Sequence, residues 1–196
     1  MLTQSLTAVD GLRWWSGDFI EVVHPDWHTL PFFTLEAESR RALLRADPPA
    51  LLPLLEVTLI APEELPDWLA AWLALPEARR QLALWLALAV ITPAQAPVLP
   101  TASLKLWCQR LHKALRPSQW AGGEYPVPEA LLRRSLTPGC WQRIRLLLPA
   151  AAVEQAEMHA LPLLPTEKCN LLWQAVIWQA CREESQNVDT ETPDAG

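Results

Sequence analysis

The sequence predicts an all-α single domain of about eight short, proline-separated helices around a buried central helix, followed by a disordered acidic C-terminal tail. Three observations predict it. Leu82 to Ile91, LALWLALAVI, is a ten-residue run without a polar side chain. A helix apolar on every side belongs in a core or a membrane. Ten residues rise about 15 Å, roughly half a hydrocarbon layer, so length excludes a span. Around this run lie amphipathic stretches with apolar residues three and four apart. Nineteen prolines punctuate them, and a proline inside a helix removes a backbone donor and clashes with the preceding turn. The domain is placed at 1–184, with 1–17 as an N-terminal arm and 185–196 as the tail.

In chain order, Trp14-Trp15 between Gly11 and Gly17 reads as an arm that docks through its tryptophans. Phe19 to Val23 is expected as a short extended piece. His24-Pro25-Asp26-Trp27-His28 is a turn, because Pro25 biases His24 away from helix. Thr34 is the expected N-cap of a helix with acids in its first turn and Arg40, Arg41 and Arg45 toward its end. A short helix is expected from near Pro53. In 62–75, Leu65, Trp68, Leu69, Trp72 and Leu73 form one stripe, and with the central helix beginning at Glu77 this segment predicts an antiparallel hairpin.

Thr101 or Ser103 caps the next helix, which runs to Leu115. Leu104, Trp107, Cys108, Leu111 and Leu115 line one face; Lys105, Arg110, Lys113 and Arg116 line the other. Segment 117–128, with Gly122-Gly123, reads as a hinge or long loop. Pro128 opens a short helix to Leu136. Thr137-Pro138 offers cap and first turn for another to Leu148. Segment 150–160 is helix-prone, and Thr166 caps a last helix through about Glu184, buried on Leu172, Trp173, Val176 and Ile177. The tail that follows is polar and without aromatics.

With 51% hydrophobic residues in 196, the chain can bury one substantial core. Eleven tryptophans stand against one Tyr and three Phe, and some fit a partner surface. The net charge of −6 hides a pattern. Residues 1–77 hold twelve acids and four bases, residues 78–153 two acids and ten bases, and residues 154–196 eight acids and two bases. A basic middle between acidic ends fits intramolecular complementarity with solvated helix faces, or a basic docking surface for an acidic protein. Nucleic acid is disfavoured, since the bases are spread over several segments. The first dozen residues lack the basic and apolar regions of a secretory signal, so the cytoplasm is expected, with Cys108, Cys140, Cys169 and Cys181 as small hydrophobes.

The six glycines spell neither a dinucleotide fingerprint nor a P-loop, and no serine sits in a nucleophile elbow. His24 and His28 flank Asp26, but Pro25 spoils a helical pair. Cys108 and His112 are one turn apart without a second ligand pair at finger spacing. Cys140 with His159 is a formal nucleophile and base that nothing local supports. No catalytic residue, cofactor or metal is expected. Arg79-Arg80, Arg133-Arg134 and Arg143/Arg145 read as solvated faces, a protein-docking surface, or a peripheral contact with acidic lipid.

Three stretches carry a resemblance. Phe19-Ile20-Glu21-Val22-Val23-His24-Pro25 resembles the hydrophobic, His-Pro-containing N-terminal segment of type III secretion sorting-platform accessory proteins, the SctK/YscK/OrgA family. Residues 82–107 are similar to that family's mid-chain apolar helix, small-residue break and second amphipathic helix. Cys140-Trp141-Gln142-Arg143-Ile144-Arg145-Leu146-Leu147-Leu148-Pro149 resembles its Trp, basic, Leu-Arg-Leu-Pro segment before a final Leu-rich helix. The resemblance covers about half the chain. It implies a non-catalytic adaptor at the cytoplasmic face of the inner membrane, reaching the membrane only indirectly. Its implied partners are the pod-forming, switch-complex-like subunit and the cytoplasmic domain of the membrane-ring protein of the injectisome. Arg133, Arg134, Arg143 and Arg145 are the expected docking residues. The alternatives are a type III secretion chaperone, which would be a mixed α/β dimer, and a small helical enzyme using His24, His28 or Cys140.

Overall fold

The computed structural model describes residues 8–94, 98–123, 125–158 and 163–188. Among them are ten α-helices, five 3-10 segments and no strand. The all-α class is therefore observed, in more and shorter pieces than the sequence suggests.

Helix α1, Ala8–Ser16, forms within the expected arm, and Trp14 and Trp15 are buried. Phe19–Val23 is not extended. Asp18–Val22 is a 3-10 segment that buries Phe19 and Ile20, because a single tight turn places both side chains inward where an extended strand would alternate them. His24 caps a second such turn, Pro25–Trp27. Helix α2, Pro31–Thr34, and helix α3, Ala37–Ala46, follow. Thr34 caps nothing: its Oγ1 donates to the Pro31 carbonyl at 2.7 Å inside α2, and Glu36 takes the cap position of α3. Residues Pro48–Leu55 form a 3-10 segment rather than a helix from Pro53, with Pro53 inside it. Glu56 closes that segment with a positive φ of 57°.

Helix α4 spans only Asp67–Leu73, since Pro62 and Pro66 keep the preceding residues out of helix. Its Trp68 stacks on Trp173 with ring centroids 5.0 Å apart. Helix α4 thus lies against the last helix, and the expected hairpin with the central helix reduces to a corner where Trp72 meets Arg80. Helix α5, Glu77–Ile91, is the central element, with Ala83, Leu84 and 86–91 buried. One side opens to solvent at Trp85.

Thr101 caps helix α6, Ala102–Leu115, accepting from the Leu104 amide at 3.2 Å. Cys108 meets the Leu86 carbonyl and His112 the Val90 carbonyl. The contacts advance by four residues on both helices, so α6 runs parallel to α5. In the segment after Pro117, Tyr125 is buried and its hydroxyl donates to the Ala121 carbonyl at 3.0 Å.

Helices α7, Pro128–Arg134, α8, Pro138–Ile144, and α9, Ala150–Glu157, are short. A 3-10 segment, Arg145–Leu147, continues α8. Helix α10, Thr166–Val188, passes beyond Glu184, so residues 185–188 are helical rather than tail. The rest of the expected tail, and His159, lie outside the described residues. One hydrophobic cluster runs from Trp14 to Ala180 through α1, α4 to α10 and the loops between them. Helix α5 touches α6, α7 and α10, which is why its apolar run tolerates no polar side chain.

Candidate docking groove

The four predicted arginines divide into two pairs. Arg143 is fully buried. Its Nε donates to the Trp15 carbonyl at 2.9 Å and its Nη1 to the Gly139 carbonyl at 3.1 Å, and its guanidinium carbon lies 4.0 Å over the Trp15 ring. Burial lowers its pKa, opposed by the neighbouring Cys140 and Glu63. Arg134 is 5% exposed. It donates to the Gly122 carbonyl at 2.7 Å and to the Tyr125 hydroxyl, with its guanidinium over that ring. Arg134 lines the groove described next, but both guanidiniums are spent on bonds inside the protein, so Arg134 and Arg143 are withdrawn as docking contacts. The physical reason is that α7 and α8 are two turns long and packed on both sides, so residues that look outward on a helical wheel meet Gly122 and Tyr125 or the arm at Trp15.

Arg133 and Arg145 remain. Both are half-buried and line a groove of about 730 Å³ between α7, α8 and α9, together with Glu56, Arg134, Trp141, Gln142 and Glu157. Arg133 Nη1 donates to the Ala156 carbonyl at 2.7 Å. Arg145 Nη2 donates to the Glu56 carbonyl at 3.3 Å and stands 3.8 Å from Glu56 Oε2. Its guanidinium lies 5.6 Å over the Trp27 ring. Trp141 Nε1 donates to Glu157 Oε1 at 2.6 Å, and Gln142 Oε1 accepts from the Thr58 amide at 2.8 Å. Arg145 Nε is buried and has no hydrogen-bond partner, an arrangement that costs free energy.

The sequence reading missed Glu56, Trp141, Gln142 and Glu157 as groove residues. Trp141 was read as core, and it is buried there, with an edge that also lines the groove. Glu56 carried no signal, since its position depends on the left-handed closure of the preceding 3-10 segment.

The residues weighed for catalysis or metal are placed otherwise. His24 Nδ1 accepts from the Asp26 amide at 3.3 Å, capping its turn, and His28 lies tilted against Phe33 with ring centroids 4.5 Å apart. Burial pushes the Cys108 thiol up to about 12. Burial also raises Cys140 and Cys169, at Cys140 against a lowering hydrogen bond from Thr137. Such thiols stay protonated near neutral pH and are poor nucleophiles. Among the described residues no three of His, Cys, Asp and Glu gather where they could hold a metal ion, and no helix is long and apolar enough to cross a membrane. Comparison with family models, curated proteins and solved structures gives no match.

Proposed function

We propose that the chain is a non-catalytic adaptor that uses the groove between α7, α8 and α9 to seat an acidic segment of a partner protein. The observation that carries this reading is Arg145, a cation that lines the groove with Trp141 and whose guanidinium stands over Trp27. A carboxylate gains a charge-assisted bond there, and an aliphatic or aromatic neighbour finds apolar walls. Arg133 lies at the α9 side of the same groove. Together with the three stretches that resemble the SctK/YscK/OrgA family, this supports a place in the type III secretion sorting platform, between the pod-forming subunit and the cytoplasmic domain of the membrane-ring protein. The all-α fold supports the adaptor over a mixed α/β secretion chaperone, and the raised thiol of Cys140 speaks against the helical enzyme.

Affinity purification of the tagged full chain from its native host, with the captured proteins identified by mass spectrometry, tests the assignment. Recovery of the pod subunit and the ring protein, lost on R133E/R145E, is the expected result. Capture of neither defeats the assignment.

A further inference from the structure

The outward side of α10 carries Glu167, Leu171, Gln174, Trp178 and Arg182, spaced by three or four residues and so aligned as one stripe. Leu171 is 52% and Trp178 54% exposed. The inward side, Leu172, Trp173, Val176 and Ala180, is buried in the core. An indole and an isobutyl group half in water on one stripe make an apolar surface awaiting cover. The Arg182 guanidinium lies 4.6 Å over the Trp178 ring, which fixes a positive charge at the C-terminal end of the stripe, while Glu167 is the acid of the first turn.

This stripe is complementary to itself. Leu171 and Trp178 share a midpoint, between residues 174 and 175, with Glu167 and Arg182. A two-fold axis crossing α10 at that point, with the helices antiparallel, lays Leu171 of each copy on Trp178 of the other. It also sets Glu167 of each against Arg182 of the other. A parallel pairing would instead bring Arg182 to Arg182. We propose that α10 forms an antiparallel, two-fold symmetric interface between two copies of this chain, an isologous contact in which one surface meets itself. The stripe extends over about 22 Å of helix axis. A single helix pair buries less than the roughly 1,600 Å² of a standard interface, so assembly falls in the micromolar range. A purely acidic or purely basic partner does not match a stripe with one charge of each sign at its ends.

Sedimentation of the full chain in reducing buffer, from about 1 to 200 µM, reads the outcome. The expected result is a mass that rises from the 22.0 kDa of one chain toward twice that value. W178E is expected to stay at one chain mass with an unchanged circular dichroism spectrum. E167R alone weakens association by about threefold to tenfold. The double variant E167R/R182E, which exchanges the two charges, restores it. A wild-type chain that remains single throughout overturns the proposal and leaves the stripe to a different protein. A W178E chain that dimerises like the wild type, or a charge exchange no better than E167R alone, overturns it equally.

Discussion

The guanidinium carbon of Arg143 lies 4.0 Å above the ring of Trp15, and Arg143 Nε donates to the carbonyl of that same residue at 2.9 Å. One cation thereby ties α8 to the arm, far apart in sequence, inside a core that excludes water. The contact holds because the planar guanidinium can stack and donate in its own plane at once, which an ammonium cannot do.

Replacing Arg143 should therefore be severe. R143A leaves the Trp15 carbonyl without its donor and opens a cavity, with an expected loss of about 3 to 5 kcal/mol in urea unfolding. R143K should recover less than half of that loss. A lysine variant as stable as the wild type would show that charge alone suffices.

Gly139 makes the same junction sensitive to a single methyl group. A Cβ there would stand 2.4 Å from Ile60 Cδ1 and 2.6 Å from Glu63 Oε1. G139A is expected to destabilise by about 1 to 3 kcal/mol. Thr137, which caps α8 on the Cys140 amide and donates to Glu63, should cost about 1 to 2 kcal/mol on replacement by Ala. Thermal melting of the two variants checks both.

Glu129 gives a pH signature. It is buried, and burial raises its pKa against a backbone hydrogen bond and one with Gln81. A raised carboxyl pKa means that folding favours the protonated acid. Its contribution is fully present below the unfolded pKa and is lost as pH rises through the folded one. E129Q keeps the shape without the charge. It should melt higher than wild type at pH 7, with the advantage vanishing as pH falls below the ordinary carboxyl range; an advantage that grows on acidification would contradict the assignment.

The thiols should separate by accessibility. Cys108, Cys140 and Cys169 are buried and Cys181 is exposed. In dilute native protein at pH 7.5 an aromatic disulfide reagent should titrate one thiol per chain quickly, and C181S should abolish that reaction. Fast labelling of a second thiol would mean that the core opens.

Much of the fold was legible where one periodicity governed a long segment. The stripe Leu104, Cys108, Leu111 in α6 and the apolar run of α5 each fix a helix, because burying one face dominates local preference. Legibility failed where prolines make every element short. At Phe19 and Pro53, the 3-10 turns are too short for a period to be read from the residues they bury. The groove was half visible. Arg133 and Arg145 were named for their charge, but on helices two turns long the wheel says little about exposure. Arg143 and Arg134 were named with them and turned out to hold the core. The stripe on α10 was concealed by its own ambiguity, since Leu171 and Trp178 look like core in a helix with apolar residues on most sides.

The claim on which the account rests is that Arg133 and Arg145 face a partner while Arg134 and Arg143 hold the fold. Binding of the purified pod-forming subunit to R133Q/R145Q and to the wild type, each paired with a melting curve, tests it most directly. The account predicts at least a tenfold loss of affinity, about 1.4 kcal/mol, with melting temperature retained. Unchanged affinity in a variant that folds like the wild type would contradict it.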